Sequence, residues 1–175
     1  ANLRAICEAV RPYESLGLRL QWIFDCVRQF GPGPAMDAAR IAAELRKEGV
    51  VAFGIGGDEL ALPASDFREV FDYAAAAGLH RVAHAGEIGG PDSVRDALNV
   101  LGAERIGHGI ATTRDPALAA LLRERAIHLE ICPISNLRTG ALARQVGRDQ
   151  ADLQHHPLPE LFRAKADYDQ FVAAL

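Results

Sequence analysis

Residues 81–109 read RVAHAGEIGGPDSVRDALNVLGAERIGHG, and their reading decides the fold. Arg81 to Ala85 and Arg105 to His108 are short runs of strand type. Between them a helix opens at Pro91-Asp92-Ser93, where a proline in the first turn costs no hydrogen bond, and stops at Gly102. A strand, a helix and a second strand in so short a span imply parallel strands joined by a right-handed crossover.

The alternation continues outward. Leu18 to Val27 and Val50 to Ile55 read as strands upstream, and Ile127 to Cys132 as another downstream. Helical segments lie between them: Ala35 to Lys47, bounded by Gly31-Pro32-Gly33-Pro34 and Gly49; Ser65-Asp66 to Gly78; and one opening at the Asp115-Pro116 cap. Strand starts separated by roughly 20 to 30 residues suit an α/β fold of the parallel (β/α) barrel type, the TIM barrel, with a doubly wound open sheet as the alternative. Eight such units typically take about 250 residues. The strands just named are all that the 175 residues offer, so the chain is expected to cover only part of the barrel as a single domain, residues 1–175. After Gln145 the text turns polar, and His155-His156 reads as a surface pair at a helix start before Pro157.

Composition narrows the partners. Hydrophobic residues at 49% and charged residues at 24% are those of a soluble domain with a packed core. With 19 Lys+Arg against 23 Asp+Glu the net charge is -4, which leaves no basic face for a phosphate backbone, so nucleic acid is not expected as a partner. Apolar runs such as Ala74 to Ala77 are far shorter than a membrane span, and Ala1 to Ala5 lacks the pattern of a secretory signal. Cys7, Cys26 and Cys132 are odd in number, far apart and without a C-x-x-C pair, which argues for a reduced, cytoplasmic protein.

Polar residues collect at the C-terminal ends of the strands, where barrels and open α/β sheets bind ligands. In Val82-Ala83-His84-Ala85-Gly86-Glu87 a histidine ends a strand and a carboxylate follows, so that His84 and Glu87 can converge. Another histidine, His108, ends the next strand between Gly107 and Gly109 and is expected beside His84. Gly54-Ile55-Gly56-Gly57-Asp58-Glu59 opens into a glycine-rich turn, and Glu130-Ile131-Cys132-Pro133-Ile134-Ser135-Asn136 ends in a polar loop. Each feature also has a plain structural reading. A strand-end histidine is more often structural than a ligand, and glycines at Gly56-Gly57 are usually turn formers. Asp58 and Glu59 read as helix-start or solvent-facing acids, Cys132 as a core residue, and Ser135 and Asn136 as turn or cap residues first and pocket residues second.

In their order and spacing VVAFGIGGDE, HAGE, RIGHG and LEICPISN resemble the adenosine deaminase family of the amidohydrolase superfamily, from about Arg19 to Pro157. The resemblance implies a zinc-dependent barrel hydrolase that releases ammonia from the 6-amino group of a purine nucleoside, a small-molecule substrate. It implies that His84 is a zinc ligand, that Glu87 is the carboxylic acid beside purine N1, that His108 orients and helps deprotonate the attacking water, and that the Gly57 N–H meets purine N3. One zinc per complete chain is expected.

The sequence also departs from the family. The first-strand H-x-H pair and the late Ser-Asp-Asp-Pro, which carry further ligands, are absent from these residues, and His84 is the sole matching ligand. Segments are therefore expected to be missing before Ala1 and around residues 164–166, between a helix from Pro157 to Ala164 and a family-like C-terminal helix starting at Lys165-Ala166-Asp167-Tyr168. Gly54 stands where many members carry aspartate, which leaves adenosine, adenine and aminodeoxyfutalosine open as substrates. The alternatives are a hydrolase of the same superfamily acting on another ring, such as a cyclic amide, and a non-catalytic remnant.

Overall fold

The computed structural model describes residues 2–17 and 19–146, so the expectations for His155-His156, for the helix 157–164 and for the segment 164–168 fall outside the described residues. Strands β1 (Trp22–Val27), β2 (Val50–Gly56), β3 (His80–Ala85), β4 (Arg105–His108) and β5 (His128–Glu130) form one sheet in which every neighbouring pair is parallel. Their order is β1-β2-β3-β4-β5. A doubly wound sheet reverses its order at a switch point, whereas strands that follow chain order without reversal are consecutive (β/α) barrel units.

Register decides which side chains share a face. His84 pairs with Gly107 and Gly107 with Glu130; Asp25 pairs with Gly54 and Gly54 with Val82. Side chains alternate along a strand, so Asp25, Val82, His84, Arg105 and Glu130 fall on one face of the sheet. Phe53, Ile55, Ala83, Ala85 and Ile106 fall on the other and are buried under the helices.

The helices seal that second face with complementary sizes. Helix α2 (Pro32–Glu44) packs on β1 and β2 through buried Ala35, Ala39 and Ala42, whose small side chains let the helix lie close. Helix α3 (Arg68–Ala76) inserts Val70, Phe71 and Ala74, and the Phe71 ring meets Phe53 edge-on at 5.6 Å between centroids. Helix α4 (Gly90–Asn99) contributes Val94 and Ala97, and α5 (Pro116–Glu124) contributes Leu118 and Leu122. The Asp115 carboxylate caps α5 by accepting the Leu118 N–H at 3.0 Å.

Three helices lie outside the sequence expectations: α1 (Asn2–Glu14), which sends Leu3 against the core, α6 (Pro133–Arg138) and α7 (Ala141–Val146). Two strands are shorter than expected. β1 starts at Trp22 instead of Leu18, and β5 spans His128–Glu130 instead of Ile127 to Cys132. Pro133 begins α6, which makes Cys132 the residue before a helix; it is exposed there, and its expected place in the core is corrected. Cys26 is buried, and burial pushes its thiol up to about 12, so it stays protonated and inert. No helix among the described residues is long and apolar enough to cross a membrane.

Candidate active site

Strand β3 delivers His84 to its C-terminal end, and Gly86 then turns the chain so that Glu87 comes back over it. Gly86 has φ +73, and a Cβ there would lie 2.5 Å from Val94 Cγ2, so only glycine makes this turn. The Nε2 of His84 is 3.1 Å from Glu87 Oε2. The neighbouring strand β4 ends in His108 at φ +67, a left-handed conformation that costs a side-chain-bearing residue about 1–2 kcal/mol. It is held there by the Gly109 N–H donating to Ala85 O and the Ala111 N–H donating to Gly86 O, both at 2.9 Å. Its Nε2 stands 3.6 Å from the same Glu87 oxygen, and the two imidazole rings are 4.5 Å apart between centroids. The potential ligand atoms of His84, Glu87 and His108 all lie within 4.8 Å of one another.

The trio is half-buried or buried, and its outer edges are tied. Glu87 Oε1 accepts the Thr139 hydroxyl at 3.0 Å, and His108 Nδ1 is 2.6 Å from Asn136 Oδ1. Burial, reinforced by the charge of His108, lowers the pKa of His84 against the opposing pull of Glu59 and Glu87. A neutral imidazole follows at neutral pH, the form that ligates a metal. A borderline-soft cation such as zinc takes a neutral imidazole nitrogen as a ligand, so the chemistry of His84 fits the metal that the sequence leads one to expect.

Beneath the trio lies a pair of buried charges. Glu59, 8% exposed, accepts the backbone N–H groups of Gly86, Glu87, Ile88 and Gly89 and the Ser93 hydroxyl. Its expected place among solvent-facing acids is thereby corrected. Arg28, the residue that follows β1, is 5% exposed and donates to Leu62 O at 3.1 Å and to His84 O at 3.4 Å.

Gly57 lies in the turn after β2, at φ +92 and exposed; a Cβ would fall 2.2 Å from Gln29 Oε1, an atom that already accepts the Asp58 N–H at 3.0 Å. The sequence does not single out Arg28 or Thr139, and it offers Asn136 as a turn or cap residue first and a pocket residue second. Asn136 is buried in α6, aimed at His108. The one signal for Arg28 was a charged residue directly after a strand at the ligand-binding end of the sheet.

The model of the adenosine deaminase family matches residues 3–169. Over 167 residues the chain is 44% identical to the aminodeoxyfutalosine deaminase of Streptomyces coelicolor, an overlap of 94% of this chain and 41% of that protein. Over 134 residues it is 41% identical to the adenosine deaminase of Klebsiella pneumoniae, 76% of this chain and 37% of that protein. The crystal structure of adenine deaminase from Arthrobacter aurescens superposes with a TM-score of 0.65 at 32% identity, over 86% of this chain and 43% of that one. The chain thus spans less than half the length of these relatives.

Proposed function

The chain belongs to the adenosine deaminase family, and from that premise we propose that the protein carrying it hydrolyses the exocyclic amino group of a 6-aminopurine nucleoside, adenosine or a close relative, and releases ammonia. The observation that carries this reading is Glu87 Oε2 lying 3.1 Å and 3.6 Å from the Nε2 atoms of His84 and His108. One carboxyl between two imidazoles, on adjacent strand ends, can give a proton to one part of a substrate while a base takes one from water.

The roles are then divided as follows. His84, kept neutral by burial, holds a zinc ion together with ligands from the rest of the protein. When bound, the ion supplies Lewis acidity that brings the pKa of water towards about 7, so a nucleophile exists at neutral pH. His108 orients the attacking water and accepts its proton. Glu87, in its protonated form, donates to purine N1 as electrons move onto the ring during attack at C6. The Gly57 N–H holds purine N3. The Streptomyces relative extends the substrate panel to aminodeoxyfutalosine, and the Arthrobacter structure extends it to adenine.

The test is ammonia release by the full-length protein from adenosine, adenine, aminodeoxyfutalosine, cytidine and a set of cyclic amides. Turnover of at least one 6-aminopurine with cytidine inert is the expected result. Turnover of a cyclic amide with no 6-aminopurine deaminated overturns the proposal.

A further inference from the structure

The backbone that carries the candidate acid is caught between two buried charges of opposite sign. From the end of β2, the Asp58 N–H is held by Gln29 Oε1 at 3.0 Å and Asp58 Oδ1 accepts the Leu60 N–H at 3.0 Å. This local turn sends the intervening Glu59 side chain inward, across to the end of β3. There its Oε2 accepts the N–H groups of Glu87 at 3.1 Å, Ile88 at 2.6 Å and Gly89 at 3.0 Å, while Oε1 accepts Gly86 N–H and Ser93 Oγ–H. The fit is close, since a Cβ on Gly89 would lie 2.9 Å from Glu59 Oε1. Arg28 holds the start of the same segment through its bond to His84 O. Burial works against the Arg28 charge and the Glu59 carboxylate offsets it.

A carboxylate withdrawn from water to this extent is tolerated only when its oxygens are fully bonded, and charge-assisted bonds to N–H groups are the strong kind. Four successive N–H groups on one carboxylate fix the path of residues 86–89 and leave no slack in the Cα position of Glu87. Glu59 contributes no atom to the cluster of His84, Glu87 and His108, and its bonds to residues 86–89 all go to backbone N–H groups.

We infer that Glu59 is a positioning residue, whose carboxylate locks the backbone of residues 86–89 so that Glu87 stands at the purine ring. The inference rests on the function proposed above for Glu87, although the lock itself can be observed without any substrate. An amide in place of the carboxylate keeps the volume but turns an N–H donor towards backbone donors, so Glu59→Gln opens the lock. Glu59→Asp keeps the acceptor type on a shorter arm and is expected to recover part of the loss.

The experiment uses the full-length protein and has an arm that needs no turnover. Hydrogen exchange at the amides of Gly86, Glu87, Ile88 and Gly89 is expected to accelerate at least about tenfold in Glu59→Gln, while the amides of β2 and α5 stay as protected as in the wild type. Metal content is expected to be unchanged. In turnover, Glu59→Gln is expected to lose about 10²-fold in kcat with KM altered less than about threefold, the cost of a small misplacement of a reacting group. Added to Glu87→Gln, it is expected to cost almost nothing further, because both changes disable the same proton donor.

Unchanged exchange at residues 86–89 overturns the lock. Independent, multiplicative losses in the double variant, or acceleration spread evenly over the whole chain, overturn the positioning role. If Glu59→Gln does not accumulate as folded protein, Glu59→Asp bears the same comparisons with smaller expected changes. If the wild type deaminates no 6-aminopurine, the proposed function fails, and the exchange arm still decides whether the lock exists.

Discussion

The Oδ1 of Asn136 lies 2.6 Å from Nδ1 of His108. A carboxamide oxygen only accepts, so this bond calls for a proton on Nδ1, and the neutral imidazole that satisfies it carries its lone pair on Nε2, the nitrogen facing Glu87. Asn136 therefore selects the tautomer in which His108 can take a proton from water. Asn136→Leu, close in volume and unable to accept, is expected to reduce kcat by about 10- to 100-fold with the metal retained, the usual cost of losing an orienting partner. A variant with wild-type kcat would reduce Asn136 to a packing residue.

His84 and His108 are neighbours with different assigned duties, and metal analysis separates them. His84→Ala removes the proposed ligand from the full-length protein and is expected to lose most of its zinc. His108→Ala is expected to keep the zinc and lose rate. Equal metal content in both variants would take His84 out of the ligand set.

The alternation of strands and helices, and the meeting of His84 with His108, were legible because both are set by local pattern. Histidines at the ends of two adjacent parallel strands lie close along the sheet, but the register pairs His108 with Ala85, on the face opposite His84, and it is the left-handed backbone of His108 at φ +67 that brings its ring beside that of His84. Glu59 was not legible. Its residue type and its place after Gly57-Asp58 suit an exposed acid equally well, and only the three-dimensional path of residues 86–89 supplies the donors that bury it. Cys132 failed for a related reason: periodicity prolongs the strand of Ile127 to Cys132, whereas Pro133 starts a helix and ends the ladder at Glu130.

Gly57 tests the substrate side. At φ +92 any side chain is strained by about 1–2 kcal/mol, and a Cβ drives Gln29 Oε1 off the Asp58 N–H. If the Gly57 N–H meets purine N3, Gly57→Ala is expected to raise KM more than it lowers kcat, together with a reduced Tm. A lowered Tm with unchanged KM would leave Gly57 a turn former only.

Glu59 predicts the acid limb of stability. Burial alone would raise its pKa, but the Ser93 hydroxyl and the N–H groups of Gly89, Ile88 and Gly86 outweigh burial and hold it below its ordinary 4.5. A group with a depressed folded-state pKa contributes stability that is complete above its unfolded-state value and fades as pH falls through the folded-state value. Wild type is thus expected to exceed Glu59→Gln in urea-unfolding free energy at pH 7, with the gap narrowing only as the pH drops below about 4.5. A gap that is constant from pH 7 to pH 3 would mean the carboxylate charge contributes nothing.

Glu87 separates binding from chemistry. If its carboxyl gives a proton to N1 while water attacks C6, the contact strengthens on the way to the transition state, and losing the proton must lower kcat more than it weakens ground-state binding. Glu87→Gln preserves volume and a hydrogen-bond donor, and its carboxamide oxygen can still accept from the Thr139 hydroxyl that now meets Oε1 at 3.0 Å. It cannot deliver a proton. The full-length variant is expected to retain zinc and to bind a purine ligand with little change, while kcat falls at least about 10²-fold, the lower range for general acid catalysis. Near wild-type kcat with only a raised KM would make the carboxyl a binding contact and end the proposed mechanism. Loss of zinc would instead move Glu87, whose Oε2 is 3.1 Å from the His84 Nε2, into the metal's own ligand set.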